Sequence, residues 1–252
     1  MFDLSDHVAL VTGGNGGLGL AMAKGLVKAG ASVAIWGRNS EKNENALAAL
    51  KDMGGDVEAF QCDVTDPEDI KATFDSTLKR FGKVDSCFAN AGGSGSTAML
   101  HQLSGSDWSS VVDLNLTSVV DTYKAVIPHF LERKSGGKLV VTSSAAALLG
   151  TPLHAGYSTT KAAVTGLTRA LAVELGRAGI QANAILPGYI ETEMSRETSQ
   201  AFRDACKRRS CSGEFGTLED MEGIAVYLAS QKSNFMTGQT LVLDGGQTIH
   251  PG

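Results

Sequence analysis

His7–Gly19 reads HVALVTGGNGGLG, and its order of parts decides the fold. His7–Thr12 is a short run rich in β-branched and apolar residues, which predicts a buried strand. Glycines at 13, 17 and 19 then crowd a turn, and the next stretch, Gly17–Ala29, carries helical periodicity. A glycine-rich turn that leaves a strand and opens a helix brings backbone N–H groups against a pyrophosphate. The helix N-terminus adds partial positive charge at the same place. The stretch therefore predicts a dinucleotide-binding first βαβ unit.

Outward from it, short apolar runs alternate with longer amphipathic ones. Strands are predicted at Ser32–Trp36, Val57–Gln61, Val84–Ala89, Lys138–Thr142, Ile180–Leu186 and Thr240–Leu243. Helices are predicted at Glu41–Met53, Pro67–Phe81, Asp107–Glu132, Ala155–Gly176 and Glu219–Ser230. This spacing implies crossover connections and a doubly wound parallel α/β sheet of about seven strands with helices on both faces. With five prolines, no repeat and no low-complexity linker, residues 1–252 read as a single Rossmann-type domain. Residues 193–216 stand apart. They are polar, carry Arg196, Arg203, Lys207, Arg208 and Arg209, have weak periodicity, and read as a mobile flap over a site.

Composition narrows the function. A chain of 252 residues with a net charge of −5 and no block of like charge argues against nucleic acid or an anionic membrane as partner. No apolar run approaches the ~20 residues of a membrane span. The start MFDLSDHVALVTGG lacks a basic region followed by an apolar one, so a cytoplasmic location is expected. Four cysteines show no C-x-x-C pattern. Cys62 and Cys87 fall in apolar runs as small core residues, and Cys206 and Cys211 fall in a polar stretch. Five histidines without metal-site spacing predict no metal.

Chemistry gathers between Lys138 and Val164. Ser143 and Ser144 follow a predicted strand, and Tyr157 and Lys161 stand four apart on one face of a predicted helix. A phenol with an ordinary pKa of about 10 is a poor proton donor at neutral pH, and a neighbouring ammonium is expected to draw that value down. Either serine is placed to hold a substrate oxygen beside it. At the end of the second strand, Trp36-Gly37-Arg38-Asn39 has no carboxylate to accept from an adenosine ribose. Arg38 and Asn39 offer donors suited to a 2′-phosphate, which favours NADP(H) over NAD(H).

Together these residues resemble the compact branch of the short-chain dehydrogenase/reductase family along essentially the whole chain. Thr12–Gly19 is similar to its T-G-x-x-x-G-x-G loop and Asn90-Ala91-Gly92 to its N-A-G element. Pro187-Gly188 with Thr192 is similar to its P-G element and the threonine that follows. The resemblance implies a catalytic tetrad of Asn115, Ser144, Tyr157 and Lys161, with Ser144 preferred because it stands thirteen residues before Tyr157. It implies cofactor contacts from Gly13, Asn15, Gly17, Leu18, Gly19, Asn90, Ala91, Gly92, Pro187, Gly188, Ile190 and Thr192, and from Asp63 and Val64 at the adenine. Tyr157 and Lys161 also contact the cofactor.

The implied roles are Tyr157 as acid or base, Ser144 on the substrate oxygen and Lys161 on the nicotinamide ribose. Asn115 would hold a water that links Lys161 to solvent. The implied reaction is hydride transfer between a nicotinamide and a carbonyl or secondary alcohol, of the ketone or 3-oxoacyl reductase type, in a homotetramer. An NAD-dependent alcohol, sugar or polyol dehydrogenase is the alternative. An extended-family epimerase is disfavoured by the glycine spacing, a lyase by Lys161, and a non-catalytic sensor by the intact Tyr157 and Lys161. Glu214 and Leu218 depart from the family's pattern near the flap and leave substrate choice open.

Overall fold

In the computed structural model, residues 2–192 and 199–250 are described, and their strands form one parallel sheet. The strands are β1 (Val8–Thr12), β2 (Ser32–Gly37), β3 (Val57–Gln61), β4 (Ser86–Ala89), β5 (Gly137–Thr142), β6 (Ile180–Pro187) and β7 (Thr240–Leu243). Their order is β3-β2-β1-β4-β5-β6-β7, and every neighbouring pair is parallel. The chain reverses its winding between β1 and β4, so a crevice opens beyond the carboxyl ends of these two strands.

The helices are α1 (Gly17–Lys28), α2 (Ser40–Lys51), α3 (Pro67–Phe81), α4 (Gly105–Val112), α5 (Ser118–Arg133), α6 (Ala155–Leu175), α7 (Gln200–Arg208) and α8 (Leu218–Ala229). Strand side chains alternate between the two helical layers. Leu10, Trp36, Leu139 and Val141 join Phe74, Tyr123, Phe130 and Val164 on one face. Val11, Ile35, Val140 and Ile185 join Met22, Leu26, Met221 and Leu228 on the other. Strands buried on both faces explain the near-continuous apolar runs in the sequence. In the first layer the indole of Trp36 is satisfied, since its Nε1 donates to Thr77 Oγ1 at 3.0 Å.

The parallel sheet, the strands Val57–Gln61 and Thr240–Leu243, and the helix Pro67–Phe81 match their sequence expectations. That helix starts on an Asp66 side-chain cap with Pro67 in its first turn and stops at Gly82, whose φ is 75°. Cys62 and Cys87 are buried, and burial pushes the Cys62 thiol up to about 12.

Two expectations need correction. The strand expected from Val84 begins at Ser86, because Val84 gives its N–H to the His129 ring and its carbonyl receives the Arg133 guanidinium instead of joining the ladder. The single helix expected over Asp107–Glu132 is interrupted by a π-helical turn at Asp113–Thr117. Of the expected flap, residues 193–198 lie outside the described residues, and Gln200–Arg208 forms the helix α7. Ser199 caps it, and ring contacts and ion pairs hold it in place of an apolar stripe.

Candidate active site

The sharp turn after β1 is made by Gly13 at φ 62°, a conformation open to glycine at little cost. Thr12 Oγ1 accepts from the N–H groups of Asn90 and Ala91, both at 3.0 Å, and Asn90 Nδ2 donates back to the Thr12 carbonyl at 3.2 Å. The loop is thereby fastened to the end of β4. Helix α1 opens on Gly16 with no side-chain cap and no acidic residue in its first turn. Its first N–H groups and dipole thus face the crevice without competition from the protein's own anions. Gly17 and Gly19 lie in that first turn; Leu18 packs its side chain against the core below. Asn15 points sideways and donates to Asn43 Oδ1 at 2.7 Å.

At the ends of β2 and β3, Arg38, Gln61, Asp63 and Asp69 line a cleft of about 420 Å³. Arg38 is exposed, with its guanidinium 3.9 Å from the Asp63 carboxylate. Hydrogen bonds from Thr65 hold the Asp63 carboxyl below the usual range, with a smaller contribution from Arg38. Asn39 spends its side-chain oxygen on capping α2, accepting from Lys42 N at 2.8 Å. Val64 is buried in the core, which leaves its backbone to meet a ligand.

The four residues named for catalysis converge from β5, α6 and the π turn. Tyr157 faces the Ser144 side chain, whose influence on the phenol is to hold its pKa down. Ser144 caps a single 3₁₀ turn at Ala145–Ala147, accepting from Ala146 N at 3.1 Å. Of the two serines, Ser143 donates its hydroxyl to the Lys161 carbonyl at 2.6 Å. Lys161 is only 5% exposed, and its Nζ donates to the Thr142 carbonyl at 2.8 Å. It lies 5.7 Å from the centre of the Tyr157 ring.

Burial lowers the Lys161 pKa to about 8. The expected acidification of Tyr157 is not found in the free protein. Burial raises the phenol's pKa, the Ser144 side chain opposes that rise, and the Lys161 ammonium is turned toward Thr142.

Asn115, 1% exposed, takes Gly93 N–H on its Oδ1 at 2.9 Å and donates Nδ2 to the Gly93 carbonyl at 2.8 Å. The π turn aims it inward at the crevice, where such turns recur in functional sites. A methyl group on Gly92 would meet Asn115 Oδ1 at 2.8 Å and Lys161 Nζ at 3.2 Å, so the two polar groups flank one glycine.

Beyond β6, Gly188 N–H donates to the Leu243 carbonyl at 2.8 Å, and Ile190 bridges to Gly216. Ile190 is buried, and Thr192 is half-buried at the last position before the undescribed stretch. Tyr189 lies against Phe215 with ring centres 4.5 Å apart and the planes tilted by 41°. Arg203 of α7 pairs with Glu191 at 2.5 Å and lies over Phe215 at 4.8 Å. The departure at Glu214 is accommodated by Lys207, 2.6 Å away.

Reading of the sequence did not find Asn43, Thr142 or Gly93. Two of them act through backbone atoms, and Asn43 looked like one more polar residue in a helix.

The geometry agrees with what the chain resembles. The family model described as enoyl-(acyl carrier protein) reductase matches residues 13–248. A gluconate 5-dehydrogenase from Gluconobacter oxydans is 36% identical over 251 residues, covering 99% of this chain and 97% of that protein. A 3-oxoacyl-[acyl-carrier-protein] reductase from Chlamydia pneumoniae is 35% identical over 239 residues, covering 95% and 96%. A crystal structure of a gluconate 5-dehydrogenase from Burkholderia cenocepacia in complex with NADP and tartrate superposes with a TM-score of 0.93. It is 36% identical, with 98% and 97% of the chains covered.

Proposed function

The chain belongs to the short-chain dehydrogenase/reductase family and is an NAD(P)-dependent oxidoreductase of carbonyl and alcohol compounds; from that premise we propose that it is an NADP(H)-dependent reductase of ketone or 3-oxoacyl substrates.

The crevice suits a dinucleotide: the Gly13 turn, the uncapped opening of α1 and the Thr12–Asn90 tie leave room and N–H donors where a pyrophosphate sits. Bound there, the nicotinamide supplies or accepts the hydride. The protein's own residues manage the oxygen and its proton. Ser144 Oγ hydrogen-bonds the substrate oxygen. Tyr157 gives its phenolic proton to that oxygen in reduction and takes it back in oxidation. Lys161, with a pKa of about 8, exchanges protons near neutrality, binds the nicotinamide ribose and stabilises the phenolate when it forms. Asn115 sits beside Lys161 across Gly92, where it would hold a water that carries the proton onward. Gly13, Asn15, Gly17, Leu18, Gly19, Asn90, Ala91 and Gly92 would hold the diphosphate and ribose, and Pro187, Gly188, Ile190 and Thr192 the nicotinamide. Asp63 and Val64 would border the adenine.

The observation that carries the reading is Tyr157 set beside the Ser144 side chain, with the buried Lys161 one turn further along α6 and its ammonium 5.7 Å from the phenol ring centre. The preference for NADP(H) is supported by Arg38 at the opening of α2 and by the relative solved with NADP. A second reading, NAD-dependent oxidation of a sugar acid or polyol, is favoured by Asp63, which offsets part of the Arg38 charge. Residues 1–252 are read as one domain with a substrate flap over 193–216, acting in the cytoplasm as a homotetramer. Exposed Val173 on α6 and Val242 on the edge strand β7 support association between copies. Among the described residues no helix is long and apolar enough to cross a membrane.

The test is a titration with both cofactors followed by a ketone, 3-oxoacyl thioester, sugar-acid and polyol panel, monitored by nicotinamide absorbance. Reduction of ketones or 3-oxoacyl thioesters with NADPH supports the first reading; oxidation of sugar acids or polyols with NAD supports the second.

A further inference from the structure

Asn43 lies in the second turn of α2, where a sequence of Glu, Lys and Asn predicts a solvated face, yet it is only 5% exposed. Its amide is used at three points. Nδ2 donates to the Gly37 carbonyl at 2.9 Å and to the Phe60 carbonyl at 3.2 Å, and Oδ1 accepts from Asn15 Nδ2 at 2.7 Å. Two backbone acceptors and one side-chain donor require two donors and an acceptor on one short planar group. Among side chains of this length only asparagine supplies them. A methyl group on Gly37 would meet Asn43 Oδ1 and Asn15 Cγ at 2.5 Å each, so the contact exists only because β2 ends in glycine.

The three partners belong to three parts of the dinucleotide crevice. Asn15 is in the turn of the glycine loop; Gly37 precedes Arg38; Phe60 is in β3, which leads to Asp63 through Cys62, whose N–H also bonds the Gly37 carbonyl at 3.1 Å. We infer that Asn43 is a positioning residue for the dinucleotide: it locks the glycine loop to the ends of β2 and β3, fixing the spacing between the diphosphate subsite and the adenosine subsite that carries Arg38. The inference rests on the cofactor reading of this crevice. A dinucleotide spans both subsites as one molecule, so a loop free to shift relative to Arg38 loses affinity even with every direct contact intact.

The test compares Asn43→Ala, Asn43→Gln, Asn15→Ala and the double variant Asn15→Ala/Asn43→Ala with the parent chain. Dissociation constants for NADP(H) and NAD(H) are read by nicotinamide fluorescence, alongside melting temperature, kcat and cofactor KM. Each single variant is expected to weaken binding of the preferred dinucleotide by about tenfold, with the larger change in KM than in kcat. The double variant is expected to be no weaker than the weaker single, since the two side chains act as one unit. Asn43→Gln keeps the amide but lengthens its arm; it serves as the second probe if Asn43→Ala does not fold. A lowered melting temperature with unchanged dinucleotide affinity, or fully additive losses, overturns the inference. A parent chain that binds NAD(H) as tightly as NADP(H) defeats the Arg38 assignment instead, and the Asn15–Asn43 coupling is then read on NAD(H).

Discussion

Lys161 turns its ammonium back across the interface of α6 and β5 and donates to the carbonyl of Thr142 at 2.8 Å. The charge is buried away from water, which is why its pKa falls from 10.5 to about 8. The depressed value has a sign. Below pH 8 the lysine is protonated in both states, and the folded chain bears the full cost of a buried charge. Between about 8 and 10.5 the unfolded chain binds more protons, so the contribution of Lys161 to stability improves as pH rises. Lys161→Met is expected to abolish turnover and to melt at or above the parent temperature at pH 7, an advantage that shrinks toward pH 10. Calorimetry across that range checks it, and a melting-temperature difference that is flat with pH would contradict it.

Tyr157 carries the proton in the proposed reaction, and Phe differs from it by the hydroxyl alone. Tyr157→Phe should lower kcat by about 10²–10⁴-fold, the range of a lost general acid. Cofactor affinity should change by much less, because the phenyl ring still fills its place. Steady-state rates beside fluorescence titration separate the two effects, and turnover retained in the variant would remove Tyr157 from the chemistry.

Gly92 leaves space for two polar groups at once. Gly92→Ala would press its methyl on Asn115 Oδ1 at 2.8 Å and on Lys161 Nζ at 3.2 Å, tighter than ordinary carbon contacts. The backbone there has no positive φ, so the strain falls on the side chains. The expected result is a folded protein with turnover reduced by about tenfold or more, as expected when a catalytic group is displaced by a fraction of an ångström. Circular dichroism and kcat decide it: full activity would mean the crevice tolerates the shift.

The sheet, its parallel winding and the glycine loop were legible because each rests on local pattern: period, turn residues and their order. Tyr157 and Lys161 stood out through their four-residue spacing, whereas Asn115 and the choice of Ser144 came only from the family resemblance. What sequence did not convey was pairing at a distance. The π turn at Asp113–Thr117 is set by Asn115 meeting both backbone groups of Gly93, a contact 22 residues away with no periodic trace. The direction of the Tyr157 shift was misjudged for a related reason. Four-residue spacing put Lys161 on the right face but did not reveal that its ammonium is drawn to Thr142 while burial raises the phenol's pKa. Helix α7 was hidden because it is held by Glu191, Tyr189 and Phe215, outside its own sequence.

The end of β2 holds the last prediction. Arg38 is 65% exposed at its side chain and 3.9 Å from Asp63, which is 43% exposed, so the pair is loose and solvent-screened. A 2′-phosphate, with more charge than one carboxylate and a bidentate geometry that suits guanidinium, competes well for Arg38. Arg38→Glu should therefore weaken NADPH binding by about tenfold or more while sparing or improving NADH, since a carboxylate there accepts from the ribose and repels phosphate. Asp63→Asn should move selectivity the other way, because it removes the anion that offsets Arg38 while keeping an oxygen for the Thr65 hydrogen bonds. Paired titrations of both cofactors against both variants test the two shifts together. Opposite movements in the NADPH to NADH ratio assign Arg38 as the selector, and a ratio unmoved by either variant places cofactor choice elsewhere in the crevice.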